Sequence, residues 1–190
     1  RYLQKSQSLL VSRNLPSKQD DLLKIAREIR SEVRANLLDQ LSSMAPYKFE
    51  QLIKLLLERM GYEDVKVTMP SNDKGVDVIG DIQVGISRRR EVVQVKRHKG
   101  NISRPVLDSL RGSLHRFDGV QGTIITTGGF AKGAENAAVE KGAAPITLID
   151  GERLLDLLEE FEIGVKKRSV VYIELDPTDL NPYLDDAVAE

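Results

Sequence analysis

The chain has 190 residues and no cysteine, which excludes disulfides, thiolate zinc sites and cysteine nucleophiles. Its net charge is only −1, but the segment 86–116 holds nine Lys or Arg against two acidic residues and so carries +7. Positive charge gathered in one segment favours a polyanionic partner over a merely solvated surface, because Lys and Arg neutralise phosphates. Since the sequence shows no long apolar run and no signal-peptide pattern, we expect a soluble, cytoplasmic protein without a membrane partner.

The first predicted element is a long amphipathic helix that begins at Ser17. Ser17 and Asp20 stand at capping-box spacing, and apolar residues then recur every three or four positions as far as Leu41. Such a stripe suits a partner helix as well as the domain's own core. Three roles therefore stay open: a dimerisation element, a connector to another domain, or a helix packed on its own domain. Because the chain begins with Arg rather than Met, we expect an upstream segment.

A second helix is predicted from Pro46 to Met60, and Gly61 ends it. Its apolar residues form one buried stripe. Glu50 lies about 100° round the helix from Phe49, on the flank of that stripe. There the carboxylate can face the sheet, or it can simply complement the positive end of the helix dipole.

The remainder of the chain alternates strands with helices. We predict strands over 65–68, 76–86, 91–97, 122–127 and 146–149, and helices over 105–117, 132–141 and 152–161. A basic turn, 87–90, would join the second and third strands. This order indicates an α/β sheet covered on both faces, whose last strands run parallel. Near the carboxyl terminus we expect one edge strand, 170–175, and then an acidic loose end.

The hairpin formed by the second and third strands brings polar side chains together. Asp77 lies on one strand, whereas Gln94 and Lys96 lie two residues apart on the other and so point to the same face. Carboxylate and amide oxygens are ligands that Mg²⁺ accepts, and the Val95 backbone carbonyl would add another. Lys96 would stabilise charge on a scissile phosphate. The set predicts metal-assisted phosphodiester hydrolysis, with Glu50 as a candidate fourth member.

Cationic and polar side chains near this hairpin are candidates for holding a phosphate backbone. Ser103 and Arg104 open a helix, where a phosphate would meet both a helix N-terminus and a cation, although a simple N-cap explains Ser103 better. The GGFAKG stretch lacks the spacing of a P-loop or a dinucleotide-binding motif, so ATP or NAD binding is not expected. The candidate nucleic-acid contacts are Arg88, Arg89, Arg90, Arg97, His98, Lys99, Ser103, Arg104 and Arg111.

Five segments of the chain resemble, in order and spacing, the catalytic domain of Mrr-type restriction endonucleases within the PD-(D/E)xK nuclease superfamily. They are FEQLIKLLLERMGYEDVKVT, DKGVDVIG, VVQVKRHKGNIS, GTIITTGGF and ITLIDGERLLDLL, and together they span roughly 45–161. The resemblance implies that Asp77 is the first motif acid, that Gln94 and Lys96 are the (D/E)xK pair, and that Glu50 is the helical Glu of the family. Gln94 departs from the usual acid, as in the QxK version of the Mrr group, which implies weaker metal binding with help from Glu50 through water.

The resemblance also implies a restriction-endonuclease-like fold: a three-layer α/β/α core with a mixed central sheet flanked by helices, here preceded by a long N-terminal helix. On this basis 1–44 is a helical segment or linker, 45–165 is the catalytic domain, and 166–190 is an edge strand with an acidic tail. The implied activity is restriction-type cleavage of double-stranded DNA, often modified or methylated DNA, with Mg²⁺ as cofactor and Mn²⁺ as a substitute.

The expected assembly is a homodimer or higher oligomer, because double-strand cleavage needs two active sites. A separate DNA-recognition domain is expected outside these residues. Two other functions stay open. The chain could be a repair or recombination nuclease that acts on branched or damaged DNA, or a nucleic-acid-binding module that keeps the fold but cuts weakly or not at all.

Overall fold

The computed structural model describes residues 18–68 and 75–173. The helices are α1 Lys18–Ser43, α2 Pro46–Arg59, α3 Arg104–Leu114, α4 Lys132–Ala138 and α5 Gly151–Glu160. The strands are β1 Glu63–Val67, β2 Val78–Val84, β3 Ser87–Lys96, β4 Asn101–Ile102, β5 Gln121–Thr126, β6 Gly129–Phe130 and β7 Ile146–Ile149. A single 3₁₀ turn, His115–Phe117, extends α3 to the predicted end of that helix.

The main sheet has five strands in the order β1-β2-β3-β5-β7. β1, β2 and β3 pair antiparallel, whereas β3, β5 and β7 pair parallel, so the sheet is mixed as predicted. The parallel register sets Gln94 beside Ile124 and Lys96 beside Thr126. A second, two-stranded parallel sheet of β4 and β6 was not predicted, because neither strand is longer than two residues.

Helices cover both faces of the main sheet, which gives the three-layer core. On one face α2, α5 and the carboxyl-terminal part of α1 pack on a cluster that includes Phe49, Val93 and Leu154. On the other face α3 and α4 pack on a cluster that includes Val92 and Leu110. Val92 and Val93, neighbours in β3, thus pack into clusters on opposite faces of the sheet, because successive side chains of a strand point to opposite faces.

The turn between β2 and β3 differs from the prediction. It consists of Gly85 and Ile86, and residues 87–90, predicted as a basic turn, are the first residues of β3. Gly85 adopts a φ of 58°, which suits a two-residue hairpin loop, and Ile86 is fully exposed at its tip. The run of arginines misled the prediction, because a charged stretch can equally form one end of a strand.

Helix α1 begins and ends close to its predicted bounds, but its two halves have different surroundings. In the second half Leu41 is buried, and Arg34 donates to Glu152, Asp156 and Glu159 of α5 over 2.6–2.9 Å. Burial by itself lowers the pKa of Arg34, but the hydrogen bonds to these three carboxylates together raise it. The earlier part of the helix, up to Val33, leaves five apolar side chains exposed: Leu22, Leu23, Ile25, Ile29 and Val33.

The start of the tail also departs from the prediction. Residues 170–173 have no regular secondary structure, and positions 174 and 175 of the predicted edge strand lie outside the described residues, as does the acidic tail. The hydroxyl of Tyr172 instead accepts a hydrogen bond from Gln19 Nε2 over 2.8 Å, which joins the tail to the start of α1. Within the described part of the chain, no helix is both long and apolar enough to cross a membrane.

Candidate active site

Asp77 lies immediately before β2, beside the last residues of β3. Its backbone N–H donates to the Val93 carbonyl over 2.9 Å. Its carboxylate Oδ2 accepts from the Val95 N–H over 2.6 Å. The carboxylate is therefore fixed next to the residue that separates Gln94 from Lys96. The predicted proximity of Asp77 to the Gln94–Lys96 segment is present in the structure.

Gln94 is the unusual residue of this site. Its side chain is buried, with 4% of the residue exposed, and its Oε1 atom has no hydrogen-bond partner among the described residues. Leaving a buried polar atom unsatisfied costs about 1–3 kcal/mol, so such atoms are rare and need an explanation. A position where a ligand binds through that oxygen is one explanation.

The available oxygens suit a hard divalent cation. The Asp77 carboxylate, Gln94 Oε1 and the Val95 backbone carbonyl are all oxygen ligands, and Mg²⁺ commonly takes only one or two protein carboxylates together with water. Within 18–68 and 75–173, no three His, Cys, Asp or Glu side chains are grouped closely enough to hold a metal. The residues therefore fit an ion held by few charges and not one held by a carboxylate cluster.

Lys96 is the last residue of β3, two positions beyond Gln94. Its carbonyl accepts from the Thr127 N–H over 3.3 Å, which ties this end of β3 to the loop after β5. The side chain is partly exposed, and no acidic side chain of the described residues forms an ion pair with its ammonium group. The ammonium group is thus available to an anion that approaches this end of the sheet.

Glu50 lies in the first half of α2, next to the buried Phe49, and is itself half-buried. α2 covers the sheet face that carries Val93 and Val95, whereas Gln94 belongs to the opposite face, near Ser109 of α3. A contribution of Glu50 to metal binding stays a prediction.

The loops that follow β3 and β5 are hydrogen-bonded and closely packed against each other beside Lys96. The His98 N–H donates to Thr127 Oγ1 over 3.1 Å. A Cβ atom added at Gly128 would collide with the carbonyl oxygens of His98 and Gly100. From the sequence alone, the Thr-Gly stretch can be either a ligand loop or a tight connection. The structure shows that it positions the loop containing His98 and the exposed Lys99 at the same end of the sheet as Lys96.

The predicted phosphate contacts on α3 have different surroundings. Arg111 has only 12% of its side chain exposed and donates to the carbonyls of Ala137 and Ala144, so it ties the end of α4 and the segment after it to α3. Its contact with DNA stays a prediction. Arg104 is half-exposed and pairs with Asp108 and Glu140. Ser103 occupies the N-cap position of α3 without a side-chain capping hydrogen bond.

Arg88 and Arg90 are also engaged, at the far end of β3. Both donate to the buried carboxylate of Asp81, over 3.0 and 2.9 Å, and Arg88 also pairs with Asp64. At about 3.3 Å per residue, Arg90 lies roughly 20 Å along the strand from Lys96. Arg88 and Arg90 thus neutralise a buried acid far from Lys96, and the predicted contact of 88–90 with DNA stays a prediction.

This ion cluster gives a pH-dependent prediction. Hydrogen bonds from Arg90, aided by Arg88, hold the pKa of the Asp81 carboxyl below its usual range. A carboxyl of lowered pKa stabilises the fold above its unfolded pKa of about 3.9, and this contribution is lost as pH falls through the folded pKa. We expect Arg90→Ala to lower the melting temperature by several degrees at pH 7. The deficit should shrink below about pH 4.

Thermal unfolding at pH 3 to 8 measures this difference, with the exposed Arg89→Ala as the matched control. A deficit of the same size at every pH would show that Arg90 acts by packing and not through Asp81.

Residues 41–158 match the family of Mrr catalytic domains, described as restriction endonuclease. The chain belongs to this Mrr-type restriction endonuclease family. It is 32% identical over 165 residues to the type IV methyl-directed restriction enzyme EcoKMrr of Escherichia coli strain K12, and the match covers 84% of this chain and 53% of that protein. The Mrr-type chain thus spans about half the length of the curated relative it matches.

Two solved structures share the fold of the Mrr-type chain. One is the DNA modification-dependent restriction endonuclease AspBHI, with a TM-score of 0.57, 17% identity and coverage of 82% of this chain and 39% of that one. The other is the MspJI restriction endonuclease in complex with a 27-mer oligonucleotide, with a TM-score of 0.50, 22% identity and coverage of 72% and 38%. These likenesses confirm the predicted restriction-endonuclease-like fold.

Proposed function

We propose that this Mrr-type domain hydrolyses phosphodiester bonds of double-stranded DNA with the help of a divalent metal ion. The observation that carries the proposal is the bond from the Val95 N–H to the Asp77 carboxylate, because it fixes the acid beside Gln94 and Lys96. An acid, an amide oxygen and a lysine at one end of a sheet suit phosphate chemistry. A pure DNA-binding module would have no use for a buried amide oxygen that has no hydrogen-bond partner in the described chain.

Mg²⁺ is the proposed cofactor, with Mn²⁺ as a substitute. Asp77, Gln94 Oε1 and the Val95 carbonyl would hold the ion, and Glu50 would act through water. When bound, the ion lowers the pKa of coordinated water and screens the phosphate charge. Because Gln94 is neutral, the site holds one negative charge fewer than a site with Asp or Glu there. We therefore expect weaker metal binding than such a site would show.

Lys96 is the residue that meets the reacting phosphate. Its ammonium group is not held by an acid of the described chain, so it can orient the scissile phosphate and stabilise charge that develops on its oxygens. The hydrogen bond from the Thr127 N–H to the Lys96 carbonyl fixes the backbone from which this side chain extends. Arg97, His98 and Lys99 follow directly along the chain and would contact neighbouring phosphates, with Ser103 and Arg104 beyond them.

The DNA contacts are tested by the salt dependence of binding. Each phosphate contact contributes about 0.9 to the slope of log affinity against log salt. Replacing Arg97 and Lys99 together by alanine should reduce the slope by about 1 to 2. The matched pair Arg88→Ala and Arg90→Ala should leave the slope nearly unchanged, because those side chains pair with Asp81 and Asp64. Fluorescence anisotropy of a labelled duplex at several salt concentrations measures both. A larger loss of slope from the Arg88 and Arg90 pair would restore those residues to the DNA surface.

The proposed substrate is modified, especially methylated, DNA, because the relative that is 32% identical is a methyl-directed enzyme. Cleavage of matched methylated and unmethylated plasmids in Mg²⁺ tests this, with a branched duplex as a third substrate. Preferential cleavage of the methylated plasmid supports the proposal. Faster cleavage of the branched duplex would instead favour a repair or recombination nuclease. In either case we expect the reaction to take place in the cytoplasm.

We further propose that the chain forms a homodimer through the part of α1 that ends at Val33. Leu22, Ile29 and Val33 lie on one side of the helix and are exposed, and contiguous apolar surface of this kind marks association sites. We expect Ile29→Gln to shift the protein towards the monomer in sedimentation velocity. Val139→Gln, which changes an exposed valine on the surface near α4, is the control. An unchanged sedimentation coefficient for Ile29→Gln would favour the connector role.

A further inference from the structure

Gly75 lies against the amide of Gln94. Its φ is +86°, a conformation that L-residues with a side chain rarely adopt. A Cβ atom built at this position would lie 2.6 Å from Gln94 Nε2 and 3.6 Å from Cδ. The Oγ atom of Ser109 in α3 would lie 4.0 Å from this built Cβ atom. The absence of a side chain at residue 75 therefore leaves the space in which the Gln94 amide lies.

The orientation of that amide matters because its two ends differ chemically. Nε2 is the end that faces Gly75, whereas Oε1 is buried without a hydrogen-bond partner in the described chain. A rotation of the amide by 180° would place the donor Nε2, in place of the acceptor Oε1, at the proposed metal position. Gln94 is almost fully buried and a Cβ built at Gly75 would lie 2.6 Å from its Nε2, so the amide has little room to rotate.

We propose that Gly75 is a positioning residue for Gln94: its bare backbone seats the amide so that Oε1 points to the metal. This inference rests on the proposed metal-dependent nuclease function. It explains why a neutral amide is a usable ligand here, because a fixed dipole presents its oxygen without the charge of a carboxylate. A methyl group at residue 75 would push the amide by about 1 Å, and a misplacement of that size can slow catalysis by about 100-fold.

The test compares Gly75→Ala with Gly142→Ala. Gly142 has a nearly identical φ of +82° and no atom within 4 Å of a built Cβ, so both changes carry the same backbone strain, but only one meets Gln94. Binding of Mn²⁺ is followed by electron paramagnetic resonance without DNA, and plasmid cleavage is measured in parallel. Gly75→Ala should weaken Mn²⁺ binding at least tenfold and slow cleavage about 100-fold. Gly142→Ala should change neither, although both variants should melt at lower temperature.

A double variant shows whether Gln94 transmits the effect. In a Gln94→Ala background the added Gly75→Ala should cost no further Mn²⁺ affinity, because the amide that a methyl group at residue 75 would strike is gone. If Gly75→Ala alone does not fold, the double variant should fold again. Failure of the double variant to fold, or an additive loss of Mn²⁺ affinity, would overturn the inference.

The role of Gly75 and the proposed function fail in different ways. An active parent with a Gly75→Ala variant that binds Mn²⁺ and cuts as well as Gly142→Ala would overturn the role of Gly75 alone. A parent that neither binds Mn²⁺ nor cuts DNA would overturn the proposed function, and the role of Gly75 with it.

Discussion

Lys96→Ala is expected to slow DNA cleavage by at least about 100-fold while leaving DNA affinity nearly unchanged. Removing one group that stabilises transition-state charge typically costs a factor of about 10²–10³ in rate. Binding depends instead on many phosphate contacts, of which one lysine is a small part. Single-turnover cleavage of plasmid DNA and anisotropy of a labelled duplex in chelator measure the two quantities separately.

Lys99→Ala is the control for this experiment. Lys99 is exposed, lies three residues further along the chain and belongs to the same cationic segment. Its replacement should weaken binding slightly and leave the rate at saturating enzyme unchanged. A parallel loss of binding and cleavage in Lys96→Ala would make Lys96 a phosphate anchor and not the residue that stabilises the reacting group.

Asp77→Asn is expected to remove metal-dependent cleavage, with a loss of about 100-fold or more at any Mg²⁺ concentration tested. Asparagine keeps an oxygen that can accept from the Val95 N–H, so the local backbone should persist. It removes the one carboxylate assigned directly to the ion. The measurement is the initial rate of cleavage as a function of Mg²⁺ concentration, with circular dichroism to verify the fold.

Asp81→Asn is the control and is expected to show the opposite pattern. Asp81 is the buried acid of the same hairpin, and Arg88 and Arg90 hold it at the far end of β3. Its replacement should lower thermal stability and leave the Mg²⁺ titration of the rate unchanged. An Asp77→Asn variant with the Mg²⁺ dependence of the parent would show that the metal site is elsewhere.

Sequence pattern predicted the framework of this fold because the pattern is local. The spacing of apolar residues indicated the helices, and alternation along β3 placed Gln94 and Lys96 on one side. The hairpin turn was predicted too late in the chain, because the arginines resemble a polar turn. Gly85 was the available signal: a two-residue loop there sets Asp81 opposite Arg90 in the β2–β3 register. That register would have indicated that the charge of Arg90 is paired with Asp81.

Other features depend on contacts between distant parts of the chain and could not be read from spacing. Arg111 has the right position for a phosphate contact on α3, yet its guanidinium donates to the carbonyls of Ala137 in α4 and of Ala144 after it. The contact between Gly75 and Gln94 joins residues 19 apart across a hairpin. The absence of regular structure over 170–173 shows that β propensity alone does not form a strand.

The dependence of DNA cleavage on a divalent ion at the site around Asp77, Gln94 and Lys96 is the expectation on which the proposed function rests. Its most direct test starts from the protein bound to methylated plasmid in excess chelator, followed by addition of Mg²⁺ beyond the chelator. We expect a stable complex with intact DNA before the addition, and nicked or linear product after it. Cleavage in the chelator, or intact DNA after both Mg²⁺ and Mn²⁺, would contradict this expectation.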